Sequence, residues 1–284
     1  MKSVFLLSLL ALVLPIVAQA APESTYDKVM RTGTIRVGYL ASPPGVIKDP
    51  NTGKMTGIAV EALDRAAANL QLKTSYVEEG QWSTMIEGLV TGRYDVVMMA
   101  WASGARARLA DFSMPLFYSA VNAYARPDDK RFTPGMPLEK ILAANPDIKI
   151  ATVDGDVTEV IAHSKFPGAK TYSLPQSADI ASLLLSVSTK KADLVFEEAA
   201  SARYFLDHNP GTLREVSGGK PVAVCPNIML IPRGQPEFKA MLNNALSELV
   251  DLGYVDTLIQ HYEPFPGALL PLALPYRTPG VVTK

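Results

Sequence analysis

Nucleophiles and metal ligands are the first residue types to look for, and this chain has few of either. Cys225 is the single cysteine among 284 residues, so no intramolecular disulfide can form. It lies in Val222-Ala223-Val224-Cys225, an apolar, strand-like run, where a small buried residue is expected rather than a reactive thiolate. The histidines His163, His208 and His261 are scattered and show no metal-ligand spacing, which predicts no metal site. One cysteine and three isolated imidazoles assemble no nucleophile–base pair. Recognition by a few placed charges is the chemistry to expect, with no cofactor.

The overall charge fits that expectation. With 27 basic against 28 acidic residues the net charge is −1, which gives no case for nucleic acid as a partner. Part of the 48% apolar content is concentrated at the start. Met1-Lys2 precedes an apolar run over residues 4–17, and Ala18-Gln19-Ala20 has the small-x-small pattern of a signal-peptidase site. The run is shorter than the roughly 20 residues of a spanning helix, and no later stretch reaches that length. A signal peptide over 1–20, cleaved after Ala20, and export to the periplasm are therefore predicted.

The elements that must position any site read as two similar α/β units. Thr34-Ile35-Arg36-Val37-Gly38-Tyr39 alternates as a strand. Turn chemistry follows at Pro43-Pro44-Gly45 and at Asp49-Pro50-Asn51-Thr52-Gly53, which allows a short hairpin. Apolar residues over 58–72 recur at helical spacing, 74–77 reads as a strand, and Trp82, Met85, Ile86 and Leu89 mark a second helix closed by Gly92. Residues 94–100 form a near-continuous apolar run, as a parallel strand buried on both faces requires. The rhythm restarts with strands predicted at 148–153, 170–172 and 192–196, and helices at 157–163, 180–187 and 199–206. An extended segment, 121–126, lies between the units. Beyond Gly218-Gly219, a strand over 222–231 leads to helices over 236–252 and 255–262. Residues 263–284 hold five prolines, so a Pro-rich C-terminal tail on the surface is expected.

At this point the sequence resembles the bacterial extracellular solute-binding proteins of family 3, the amino-acid-binding group of ABC importers. The resemblance runs over residues 26–262. It rests on Gly33-Thr34-Ile35-Arg36-Val37-Gly38, on Gly57-Ile58-Ala59-Val60-Glu61-Ala62-Leu63, and on Gly92-Arg93-Tyr94-Asp95-Val96-Val97. Arg106-Ala107-Arg108-Leu109-Ala110-Asp111-Phe112-Ser113-Met114-Pro115 is similar to the family's Arg-x-x-x-x-Asp-Phe-Ser-x-Pro signature, and Lys191-Ala192-Asp193-Leu194-Val195-Phe196-Glu197-Glu198 to a segment ending in an acidic residue. The resemblance implies an α/β fold with the type II periplasmic-binding-protein architecture. Two lobes, each a mostly parallel sheet flanked by helices, are joined by two hinge strands. Lobe 1 is expected over 25–120 plus 225–262, lobe 2 over 127–217, and the hinges at 121–126 and 218–224. A solute held in the interlobe cleft would be delivered by hinge closure to a membrane permease of an ABC importer, with the binding protein acting as a monomer.

The resemblance also implies a ligand site. A zwitterion needs a cation for its carboxylate, for which the planar fork of arginine is suited, and an acid for its ammonium. Arg106 holds the position of the family's arginine, with Ser103 three residues before it as a further donor. Glu198 aligns with the ammonium-binding acid, and Glu197 takes that place if the register slips by one. Three positions depart from the family pattern. Trp101 replaces a small hydroxyl residue, Asp156-Val157 replaces a hydroxyl pair, and the first loop lacks an aromatic for which Tyr39 could substitute. An amino acid or related small polar carboxylate is the expected ligand, although Asp156 would repel an anion unless paired.

Two other functions are compatible with the sequence. Exported cyclohexadienyl dehydratases share the architecture, and 193–203 resembles that branch; Ser201, however, stands where those enzymes carry a glutamate acid–base group. A ligand-sensing module is the third reading. The sequence favours a binding protein over an enzyme.

Overall fold

The computed structural model describes residues 23–273. The predicted export signal, with its cleavage site after Ala20, and residues 274–284 of the proline-rich tail lie outside the described residues.

Local signals set the first unit. Ser24 caps helix α1 (Thr25–Thr32) by accepting the Asp27 N–H, and Gly33, at φ 64°, turns the chain directly into strand β1 (Thr34–Tyr39). Asp49 accepts the N–H groups of Asn51 and Thr52, both at 2.8 Å. That Asx turn joins the short strands β2 (Ile47–Lys48) and β3 (Met55–Thr56) into the expected hairpin. Helix α2 (Ile58–Asn69) buries seven residues along one face before strand β4 (Lys73–Glu79). Helix α3 (Trp82–Val90) and strand β5 (Val96–Trp101) complete the unit. A four-residue helix, α4 (Gly104–Ala107), and strand β6 (Ala110–Phe112) follow, leading into β7 (Phe117–Ala125).

The second unit opens with α5 (Leu138–Ala144) and contains β8 (Lys149–Val153), α6 (Val157–Lys165), β9 (Lys170–Leu174), α7 (Ile180–Ser188), β10 (Leu194–Glu198) and α8 (Ala199–His208). The chain then returns through β11 (Arg214–Glu215) and β12 (Ala223–Pro232) to helices α9 (Pro236–Asp251) and α10 (Tyr254–Tyr262), ending in β13 (Leu269–Leu270).

Both units have the same strand order, with the first strand central. One run is β4-β1-β5 and the other β10-β8-β9, each internally parallel. Between them stand β12 and β7, antiparallel to their neighbours, so one mixed sheet of 11 strands crosses the whole fold. Strand β7 pairs with β12 over its first half and with β10 over its second, changing partner at Val121. Residues 121–126, read as a hinge, thus coincide with the part of β7 that joins the second unit. Residues 218–222 form the approach to β12.

Each unit is buried on both faces, which explains the apolar runs. In the first unit, α2, α9 and α10 cover one face of the sheet, and Met85 and Leu89 of α3 cover the other together with Tyr94, Ile228 and Leu230. In the second, Ile161 and Phe166 pack with Phe132 and Phe196 on one face, while Leu183, Val187 and Phe205 fill the other.

An aspartate locks the same corner of each unit. Asp95, just before β5, accepts the Arg36 backbone N–H at 2.9 Å and the Arg36 guanidinium at 2.7 Å, with Lys28 at 3.3 Å. Asp193, just before β10, accepts the Lys149 N–H at 3.0 Å and the guanidinium groups of Arg126 and Arg131. Burial would raise the Asp193 pKa, but these hydrogen bonds and charges outweigh it and hold the carboxyl below its ordinary value.

The tail departs from expectation. Ala268 and Leu269 are buried, and Leu269 and Leu270 add a strand to β7 opposite Ser119 and Tyr118. The prolines flank this pair without occupying it, so its N–H groups remain able to bond, and Glu263 fixes the approach by accepting the Gly267 and Leu269 N–H groups.

Candidate functional site

The two units face each other across a cavity of about 590 Å³, a volume suited to a small organic molecule. Its charged residues come from the ends of strands and the starts of helices.

On the first unit, β5 ends at Trp101 and the Ser103 side chain caps α4 by accepting the Arg106 N–H at 3.2 Å. This turn brings the Arg106 guanidinium back onto the Trp101 carbonyl, to which Nη1 donates at 2.9 Å. On the second unit, Gly155 at φ 68° leads into Asp156, which caps α6 by accepting the Thr158 N–H at 3.2 Å. The other Asp156 oxygen lies 3.5 Å from Arg106 Nη2. The residue expected to repel an anion is therefore paired, and its partner is the residue expected to hold the ligand's carboxylate.

Glu197 and Glu198 end β10, and both are at most 5% exposed. Glu198 accepts the indole N–H of Trp101 at 2.5 Å, with the Ser119 hydroxyl as a second hydrogen-bonding neighbour. Burial pushes its pKa up to about 7, the Asp156 charge adds to the rise, and the Trp101 and Ser119 bonds oppose it. Glu197 is driven well above the ordinary carboxylate range by burial and then by the Glu198 charge, although its Oε1 accepts the Glu198 N–H at 2.9 Å. Arg106 is lowered by burial, against the influence of Asp156.

Sheet register aligns these groups. Asn227 of β12 stands opposite Trp101 of β5, and its Nδ2 donates to Ser119 Oγ of β7 at 2.8 Å. One polar row thus runs Trp101, Asn227, Ser119, Glu198 across four neighbouring strands, from the first unit to the second. A third contact between the units is the Ser201 hydroxyl donating to the Pro43 carbonyl at 3.3 Å.

Arg106, Trp101, Asp156, Glu197 and Glu198 all line the cavity. Ser103 acts as the α4 cap beside it. Tyr39 lies in the core of the first unit, edge-on to Tyr76 with ring centroids 6.0 Å apart. Cys225 is buried, and desolvation pushes its thiol up to about 12. Asn227 was not anticipated; a lone amide inside the apolar run 222–231 was its signal. Met99 also lines the cavity and holds φ 54°, a strained conformation for a non-glycine residue. Its side chain fits against Gly45, where an added Cβ would come within 2.4 Å of the Met99 methyl.

Residues 35–265 match the model of the bacterial extracellular solute-binding proteins, family 3. The chain is 31% identical over 107 residues to the L-cystine-binding protein TcyJ of Escherichia coli K12, a match covering 37% of this chain and 40% of that relative. A solved ancestral amino-acid-binding protein, described as a precursor of cyclohexadienyl dehydratase, is 26% identical with a TM-score of 0.68, covering 84% of this chain and 99% of that one. An ancestral arginine-binding protein bound to arginine has a TM-score of 0.65 at 23% identity, with coverages of 81% and 98%. The type II binding-protein fold follows from these likenesses.

Proposed function

The chain belongs to the bacterial extracellular solute-binding proteins, family 3, and on that premise we propose that it captures a small amine-bearing solute between its two units for an ABC importer in the periplasm. The observation that carries this reading is the buried Glu198 carboxylate at the back of a cavity walled by both units. A buried carboxyl with few hydrogen-bond partners favours a cationic guest, because the guest supplies the charge that burial removes. The relatives named for cystine and arginine bind solutes that carry amino groups, which agrees with this assignment.

In this reading the units act as lobes, 25–120 plus 225–262 and 127–217, and β7 and β12 are the strands about which they close. The contacts that span the cavity, Trp101 to Glu198, Arg106 to Asp156 and Ser201 to Pro43, favour the closed arrangement, and a solute that adds contacts in that state draws the population toward it. The test is a thermal-shift screen of amino acids and amines. A bound member raises the melting temperature by mass action, and the rise is lost in Glu198→Gln. A stabilising solute that works equally well on that variant contradicts the site.

The dehydratase reading has one observation in its favour, a buried glutamate whose pKa of about 7 suits proton transfer. The geometry supports it less well, because Ser201 spends its hydroxyl on the Pro43 carbonyl. Turnover of prephenate or arogenate by the purified protein would reverse the order of the two readings.

A further inference from the structure

The cavity's ionisable side chains are unbalanced. Four carboxyl side chains line it, Asp156, Asp179, Glu197 and Glu198, against the single guanidinium of Arg106 among the described lysines and arginines of the lining. Asp179 is turned to capping α7 by accepting the Ser182 N–H at 2.7 Å. Arg106 is already faced by a carboxylate, that of Asp156 from the opposite unit, 3.5 Å away. We propose that Asp156 stands in the place of a ligand carboxylate, so that the site selects an organic ammonium cation lacking an α-carboxylate.

This inference rests on the solute-binding reading above and narrows its ligand. A zwitterion entering the cavity would bring its carboxylate to a guanidinium that already faces one, with the Asp156 charge beside it. Like charges in a partly desolvated site repel strongly. An ammonium group without that carboxylate meets Glu198 and leaves the Arg106–Asp156 pair intact. An independent feature points the same way: the Asn227 carboxamide oxygen, on a residue 1% exposed that lines the cavity, has no hydrogen-bond partner among the described residues. It is an acceptor suited to an N–H donor and of no use to a carboxylate. The rest of the wall mixes neutral polar side chains such as Gln81 and Gln176 with apolar and aromatic ones, including Met99, Ile180, Leu183, Tyr204 and Phe205, and this second group suits the hydrocarbon body of an amine.

The test uses matched pairs differing only in the carboxylate: agmatine and arginine, cadaverine and lysine, tyramine and tyrosine, phenethylamine and phenylalanine. Affinities are measured by calorimetry on the wild type and on Asp156→Asn, which keeps a capping side chain for α6 while removing the charge; Asp156→Ser is a second variant that also caps. The wild type should bind at least one amine tenfold or more tightly than its parent amino acid. Either variant should shift that ratio at least tenfold toward the amino acid. No amine bound tenfold more tightly than its parent amino acid by the wild type, or a ratio unmoved by both variants, overturns this inference alone. Absence of binding by every member of every pair to all three proteins overturns the solute-binding reading with it.

Discussion

Replacing Glu198 with glutamine should stabilise the unliganded protein at pH 8 and do much less at pH 5. Burial raises the carboxyl pKa from 4.5 to about 7, which removes roughly 3 kcal/mol of stability as the pH passes from below both values to above them. The folded protein holds this proton more tightly than the unfolded chain does. The stabilisation that follows is complete below pH 4.5 and is lost as the pH rises through about 7. Between pH 5 and pH 8 the loss is roughly 2.5 kcal/mol. Glutamine does not ionise in this range, and its carbonyl can still accept the Trp101 indole N–H. Thermal melts of both proteins at both pH values isolate the charge, since any change in packing is common to the two conditions. The melting-temperature gain of Glu198→Gln over the wild type should be about 5–10 °C larger at pH 8 than at pH 5 for a chain of this size. Equal gains at the two pH values would refute the claim that a buried, ligand-seeking charge resides at Glu198.

Four further outcomes are expected. Amine affinity should rise about tenfold from pH 6 to pH 8, because the cation favours ionised Glu198 and the competent fraction follows that ionisation; titration calorimetry across the range reads it. Trp101→Phe removes the N–H that opposes the Glu198 pKa rise, so amine binding at pH 7 should weaken by about tenfold and recover in part at higher pH. Asp95→Ala leaves Arg36 and Lys28 without their buried partner and should lower stability by about 3 kcal/mol in urea melts. Leu269→Ala, a truncation at a buried site of β13, should cost about 2 kcal/mol in the same assay, where a surface tail would show no change.

The two α/β units were legible because their inner strands β5, β8 and β10 are buried almost throughout, which leaves unbroken apolar runs between turn signals. The 94–100 and 192–196 runs emerge as β5 and β10 with shifts of one or two residues at their ends. Strand β13 was hidden, because five prolines dominate its neighbourhood and its two leucines are too few to show a period. The short β6 was equally hidden within the Arg106–Pro115 segment. At the site, Arg106, Trp101, Asp156, Glu197 and Glu198 could be proposed from the family resemblance of the segments that carry them. What the sequence could not supply was pairing across the cleft. Asp156 and Arg106 are 50 residues apart, and only the stacking of the two units places their charges 3.5 Å from each other. The same holds for Asn227, whose role depends on its register opposite Trp101.

Calorimetric titration of the tightest-binding amine or amino acid of the matched panel into wild-type and Glu198→Gln protein at pH 8 tests the central claim most directly. One site per chain is expected in the wild type, with an affinity at least about 30-fold weaker in the variant, the scale expected on removing one partner of a buried charge pair. Equal affinities in the two proteins would contradict it.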